Sequence, residues 1–148
     1  MKITEALLAE HVVFHNMFDH IERVLPRLKT LSEIRSVARL LEALLESHSR
    51  AEDLLIIEPL EHCFEQLGQH ETFHKEHIEI EARIRQAQTS RDPRKSRHHL
   101  LAAVLASRRH FDKEERIVFP MAEKILKGKT LAALGKSWIQ HRNGVKVI

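Results

Sequence analysis

At 148 residues, 43% of them hydrophobic, the chain is long enough for one well-buried core and too short for two, so a single domain over residues 1–148 is expected. A formal net charge of +3 is small, and the lysines and arginines are scattered among glutamates with no dense basic run or aromatic platform, which argues against nucleic acid as a partner. No stretch approaches the roughly 20 consecutive apolar residues that span a bilayer, and the N-terminus lacks the apolar core of a signal peptide, so no membrane partner is expected and cytoplasm is the default location.

Only four glycines and four prolines interrupt the chain, and between them apolar residues recur every three or four positions, the period of amphipathic helices. The first predicted helix carries Leu7, His11, Phe14, Phe18, Ile21 and Leu25 and ends near Pro26. A second begins after Ser32, a plausible N-cap, and aligns Val37, Leu41, Leu44, His48, Glu52 and Leu55 before Pro59 bends or ends it. Gly68 punctuates the chain, and the lone cysteine before it, Cys63, reads as a small core residue that cannot form an internal disulfide, in keeping with a reducing compartment. Phe73, His77, Ile80 and Ile84 then mark a third helix, which runs out at Ser90 to Pro93. Leu100, Val104, Phe111, Glu114, Val118 and Ile125 mark the fourth. After Gly128, Thr130 to His141 forms a short fifth helix with Trp138 packing back on the others. The expected fold is all-α: an antiparallel up-and-down four-helix bundle with a short C-terminal fifth helix.

Histidine is the unusual ingredient, with 12 copies in a chain that lacks tyrosine. In His48 to Leu55 and in His110 to Pro120 a histidine and a glutamate lie four residues apart, so that both side chains leave one helix face and can reach one metal centre. Spacing alone is weak evidence, because chance supplies roughly 1.4 such pairs at this composition. Helical phase says more. His11, His48, Glu52, His77 and Glu114 fall in or close to the apolar stripe of their helices, with His110 on its edge. Burying two ionised carboxylates without compensation costs several kcal/mol each, and a divalent or trivalent cation compensates them well. Metal sites in helical bundles are built in this way, from side chains on facing helices.

The order is His on the first helix, His-x-x-x-Glu on the second, His on the third and His-x-x-x-Glu on the fourth. It resembles the hemerythrin-like family, the HHE cation-binding domains, over nearly the whole chain. Glu10-His11-Val-Val-Phe14 resembles the family's first-helix start, His48 to Leu55 its second box, Glu76-His77-Ile-Glu-Ile80 its third and His110 to Pro120 its fourth. The tail from Leu134 to Arg142 is similar to the closing segment of many members.

The resemblance implies a centre of two iron ions, with Glu52 and Glu114 bridging and His11, His48, His77 and His110 as terminal imidazoles. On the third helix His77 is preferred on phase, with His74 as its substitute and His70 as a further alternative; His15 is an additional candidate for lining or ligation. His20, His62, His98, His99 and His141 read as surface residues. With Glu114 four residues after its histidine and one histidine chosen on the third helix, the chain departs from the pattern of the dedicated oxygen carriers. The expected function is binding of, or reaction with, a small ligand such as oxygen, nitric oxide or peroxide, in redox, oxygen or iron sensing or a stress response. Weak peroxide or nitric oxide processing is one form of this. The alternative is an iron store or a module whose metal occupancy recruits a protein partner.

Overall fold

A computed structural model of the chain describes residues 1–68 and 70–144; the side chains of Leu67 and His70 lie outside the described set. The described residues are helical with no strand among them, and none of their helices is long and apolar enough to cross a membrane. The helices are α1 (Ile3–Val24), α2 (Leu31–Glu52), α3 (Glu58–Leu67), α4 (His70–Thr89), α5 (Pro93–Lys113), α6 (Phe119–Ile125) and α7 (Gly128–Arg142). A 3-10 turn, Leu25–Arg27, closes α1.

The ends follow local chemistry. Thr30, two residues ahead of the predicted Ser32, is the N-cap of α2, and its side chain accepts from the Glu33 N–H at 3.2 Å, a cap contributing about 1 kcal/mol. Asp92 does the same for α5 by accepting from Arg94, with Pro93 at the first helical position where no N–H is needed. Gly68 closes α3 in a left-handed conformation at φ 66°, a backbone state that glycine adopts without steric cost.

Pro59 neither ends nor sharply breaks its helix. The chain widens into a π turn over Asp53–Ile57 and continues as α3, and a second π turn over Glu114–Val118 joins α5 to α6. The two share a cause. Pro59 and Pro120 cannot donate to the carbonyl four residues back, and their rings crowd it; the looser turn holds those carbonyls, at Leu55 and Arg116, away from the rings. Each π turn shifts the helical phase. Phe119 and Ala122 therefore face inward, and Ile125, expected on the buried stripe, is exposed. On α2 the buried face runs Ile34, Ala38, Leu41, Leu45, His48, Glu52, so Leu45 takes the inward place expected for Leu44, which is exposed.

The helices pair antiparallel where side chains fix the register. Along α4 and α5, Ser96 donates to the Ala87 carbonyl, Arg83 meets His99 at 3.3 Å, and Lys113 meets Glu76. Positions rise along one helix as they fall along the other. α2 packs on both α4 and α5, and α7 packs on α1. Gly135 makes the last contact possible, since a Cβ there would lie 2.0 Å from the Met1 carbonyl oxygen.

Buried side chains form two separate apolar clusters. One joins Phe14, Phe18, Leu41, Leu45, Ile80, Ile84, Leu100 and Phe111; the other joins Leu7, Leu55, Phe64, Phe73, Val118 and Phe119. Each fully buried Leu, Ile or Phe contributes about 1.5–3 kcal/mol of burial free energy. Between them lies a polar layer. On α1, His11 falls between Leu7 and Phe14, and on α4, His77 falls between Phe73 and Ile80. On α2, His48 and Glu52 fall between Leu45 and Leu55.

Candidate metal centre

The polar layer gathers His11 from α1, His48 and Glu52 from α2, His77 from α4, His110 from α5, and Glu114 from the π turn that follows α5. His11, Glu52 and Glu114 are no more than 1% exposed. Two groups within it can each hold a metal ion: His11, His48 and Glu114 form one, and Glu52, His77, His110 and Glu114 the other. Donor atoms within each group lie within 4.8 Å of one another, and Glu114 belongs to both. His11 Nε2 is 3.1 Å from Glu114 Oε2, and His48 Nε2 is 3.4 Å from Glu52 Oε2. His11 and His48 approach through their Nε2 atoms at 3.2 Å, His77 and His110 through theirs at 2.7 Å, and His110 Nε2 also touches Glu114 Oε1.

Three carboxylates behind the rings set this arrangement. Glu10 Oε2 lies 2.6 Å from His48 Nδ1, Glu76 Oε2 lies 2.8 Å from His110 Nδ1, and Glu115 Oε1 lies 3.0 Å from His11 Nδ1. A carboxylate acceptor draws the ring proton to Nδ1 and leaves Nε2 as a lone pair aimed at the layer's centre. In His11 and His48 two such lone pairs face each other. All four oxygens of Glu52 and Glu114 are buried and find no hydrogen-bond partner among the described residues. Lone pairs and carboxylate oxygens turned on one another in an apolar surround repel; a cation at their focus turns the same geometry into ligation.

The electrostatics agree. Burial pushes the Glu114 carboxyl up to about 8, aided by the charges of Glu76, Glu115 and Asp53. Burial, then the Glu114 charge, drives Glu52 well above the carboxylate range. The pair thus resists carrying two negative charges without a positive one beside it. Burial also holds His11 down to about 2 and His77 down to about 4, with neighbouring imidazoles adding to the effect, so both rings are neutral as ligands require. Burial alone would raise Glu10 and Glu76. For Glu10, His48, Arg142 and Trp138 outweigh it; for Glu76, Lys113 and His110 do. Both carboxyls lie below their usual range, as acceptors behind metal-binding rings should.

Of the expected residues, the six central ones converge on the layer. His15 and His74 are not in either group: His15 is half-buried, 3.8 Å from Glu115, and His74 is exposed at the edge of a cavity. The His70 side chain lies outside the described residues. His20, His62, His98 and His141 are exposed, His99 is half-buried, and Cys63 is half-buried away from the layer. His110, expected on the stripe's edge, is 3% exposed. The backing carboxylates Glu10, Glu76 and Glu115 were not legible as such. Two of them immediately precede His11 and His77, and a residue one step away on a helix points about 100° round, toward the neighbouring helix's histidine and away from its own.

Two cavities reach the layer on the same side. One of about 290 Å³ lies between α2, α4 and α5, with Leu45, Ile80, Ile84 and Phe111 as apolar walls and Glu42, Glu46, Glu81 and Arg85 at its polar side. A smaller one, about 90 Å³, is lined by Glu52, Asp53, Phe73 and His74. His77 and His110 line both. Phe111, a wall of the larger cavity, also stacks flat on His11, with ring centroids 4.0 Å apart, and His11 is fully buried behind it. Compared with known proteins, the chain matches no protein-family model, and no curated protein or solved structure matches it.

Proposed function

We propose that the protein is a non-haem di-iron protein of the hemerythrin-like kind, built on an antiparallel up-and-down four-helix bundle of α1, α2, α4 and α5, that binds or reacts with oxygen, nitric oxide or peroxide. The observation that carries this reading is the set of four oxygens on Glu52 and Glu114 that find no hydrogen-bond partner among the described residues, faced by four imidazole Nε2 atoms in a largely buried layer. Glu114, common to both groups, and Glu52, beside His48 and His110 alike, would hold both irons, and the four histidines would each hold one. The mixed imidazole and carboxylate set suits both ferrous and ferric iron, and two irons would have positions beyond what six side chains fill. Bound iron would supply reversible one-electron redox chemistry and those open positions for a small ligand.

The chain's own residues do the rest. Glu10, Glu76 and Glu115 hold three rings in the ligating tautomer, Phe111 covers the His11 ring, and the cavities at His77 admit the small ligand. Cytoplasm is the compartment proposed, where the single Cys63 stays reduced. A second reading, an occupancy-sensing module that speaks to a protein partner, is favoured by the contact between Glu10 and α7.

Elemental analysis of protein purified without added metal, with the near-ultraviolet and visible spectrum of its oxidised form, tests the centre. Two irons per chain with oxo-bridged ferric bands are expected. One metal per chain at saturation, or a redox-inert metal at both positions, overturns the di-iron reading.

A further inference from the structure

Glu10 is tied to three helices at once. It leaves α1, its Oε2 meets His48 Nδ1 of α2, and its Oε1 accepts from Trp138 Nε1 at 2.9 Å and from Arg142 Nε at 2.6 Å, both on α7. Arg142 also donates to the Ser47 hydroxyl at 2.7 Å, on the residue before His48, and its guanidinium lies over the Trp138 ring at 5.9 Å. Among the described residues the corresponding Glu76 has no such outside anchor: it is held by Lys113, from the same helix as the histidine it backs. The C-terminal helix is therefore wired into one half of the metal layer and not the other.

Resting on the di-iron reading above, we propose that Trp138 and Arg142 are positioning residues that act through Glu10 on His48, so that metal in the His11, His48 and Glu114 subsite clamps α7 onto α1 and α2, and loss of that metal releases it. Three features carry this. Among the described residues, the contacts that fix the Glu10 carboxylate besides His48 come from α7, so displacing α7 leaves the ring without a fixed acceptor and Nε2 without a fixed direction. Beyond the Arg142 and Trp138 contacts to Glu10, α7 packs on α1 through buried Leu131 and Gly135, with Leu134 beside them, so the two polar contacts are the part of its docking that depends on the Glu10 carboxylate. Coupling between binding and docking is reciprocal: the factor by which a docked α7 tightens metal binding is the factor by which metal tightens docking. Occupancy buried inside the protein thereby becomes readable on an outer helix.

Anaerobic titration with ferrous iron against a competing chelator, alongside hydrogen exchange of the α7 amides, tests this on wild type, Arg142→Ala, Trp138→Phe and Lys113→Ala. Arg142→Ala should weaken one of two iron-binding steps by about 10- to 100-fold, the range typical of ring-orienting contacts, and Trp138→Phe should weaken the same step less. Lys113→Ala should affect only the other step. Iron should slow α7 exchange in wild type and in Lys113→Ala, and should fail to do so in Arg142→Ala. Equal weakening of both steps by Arg142→Ala, or two irons bound with α7 exchange unchanged in wild type, overturns the clamp and leaves the di-iron reading standing. Absence of iron binding in wild type overturns that reading as well.

Discussion

The α1–α2 half and the α4–α5 half use one scheme twice. A Glu-His pair on one helix faces a His-x-x-x-Glu on the next: Glu10-His11 faces His48 and Glu52, and Glu76-His77 faces His110 and Glu114. In each, the glutamate backs the partner helix's histidine, the two Nε2 atoms meet, and a π turn starts at or just after the second glutamate with a proline beyond it. The differences are in closure. The first half has its His11 ring backed by Glu115, stacked on Phe111 and tied through Glu10 to α7. In the second, His77 is only half-buried and borders both cavities, and no described residue hydrogen-bonds its Nδ1. Duplicated geometry thus yields one closed half and one that borders the cavities.

The most damaging change to both halves together should be at Glu114, the only residue shared by the two donor groups. Glu114→Ala should abolish paired iron binding, measured as metal per chain, while Glu114→Gln impairs it less. In the metal-free protein the order should invert, since removing a buried charge without its cation leaves stability unchanged or raises it. If Glu114→Ala keeps one iron at native affinity, the halves are independent and the bridge is misassigned.

Next in size are the backing carboxylates, expected to cost about 10- to 100-fold in affinity at one subsite each. Glu10→Ala should act on the closed half and Glu76→Ala on the open one, read as separate steps of a stepwise iron isotherm. Loss of both steps in either variant would show that the halves cannot be separated in this way.

A smaller effect concerns pH in the metal-free protein. Glu52 and Glu114 have folded-state values raised above the ordinary 4.5, so folding takes up protons there and stability falls as pH rises above 4.5, through about 8 for Glu114. His11 and His77 have values lowered from 6.5, to about 2 and about 4, so their contribution is lost as pH falls below 6.5 toward those values. The two trends oppose each other between 4.5 and 6.5. Denaturant midpoints should peak in that window, and iron should abolish the decline toward pH 8; an unchanged alkaline decline with iron bound would contradict the charge-compensation argument. Smallest of all, His15→Ala and His74→Ala should change iron affinity by less than about tenfold, because neither ring reaches the donor groups. A large loss from His74→Ala would reassign the open half.

Much of this was readable from periodicity. On α1, each of Leu7, His11, Phe14, Phe18 and Ile21 is buried, because nothing interrupts a regular helix there, and Leu25 in the 3-10 turn that follows is buried too. Where the pattern misled, a local cause is identifiable. The register on α2 was off by one at Leu44 because steps of three and four residues both fit a stripe, and only packing chooses. Ile125 was misplaced because a π turn inserts a phase shift that the spacing of apolar residues does not reveal. That His11, His48, Glu52, His77, His110 and Glu114 would gather in one layer was legible, since inward-facing histidine and carboxylate are costly and conspicuous. Glu10, Glu76 and Glu115 were not, because an acceptor behind a ring on another helix leaves no trace in its own helix's periodicity. Nor does sequence disclose that Trp138 and Arg142, 128 and 132 residues from Glu10, share its carboxylate with His48.

The most direct test of the central claim is a crystal structure of iron-loaded protein with anomalous scattering recorded at the iron edge. Two peaks are predicted, one beside His11 and His48 and one beside His77 and His110, with the Glu114 carboxylate between them and Glu52 reaching both. A single peak, or metal bound away from Glu52 and Glu114, would contradict it.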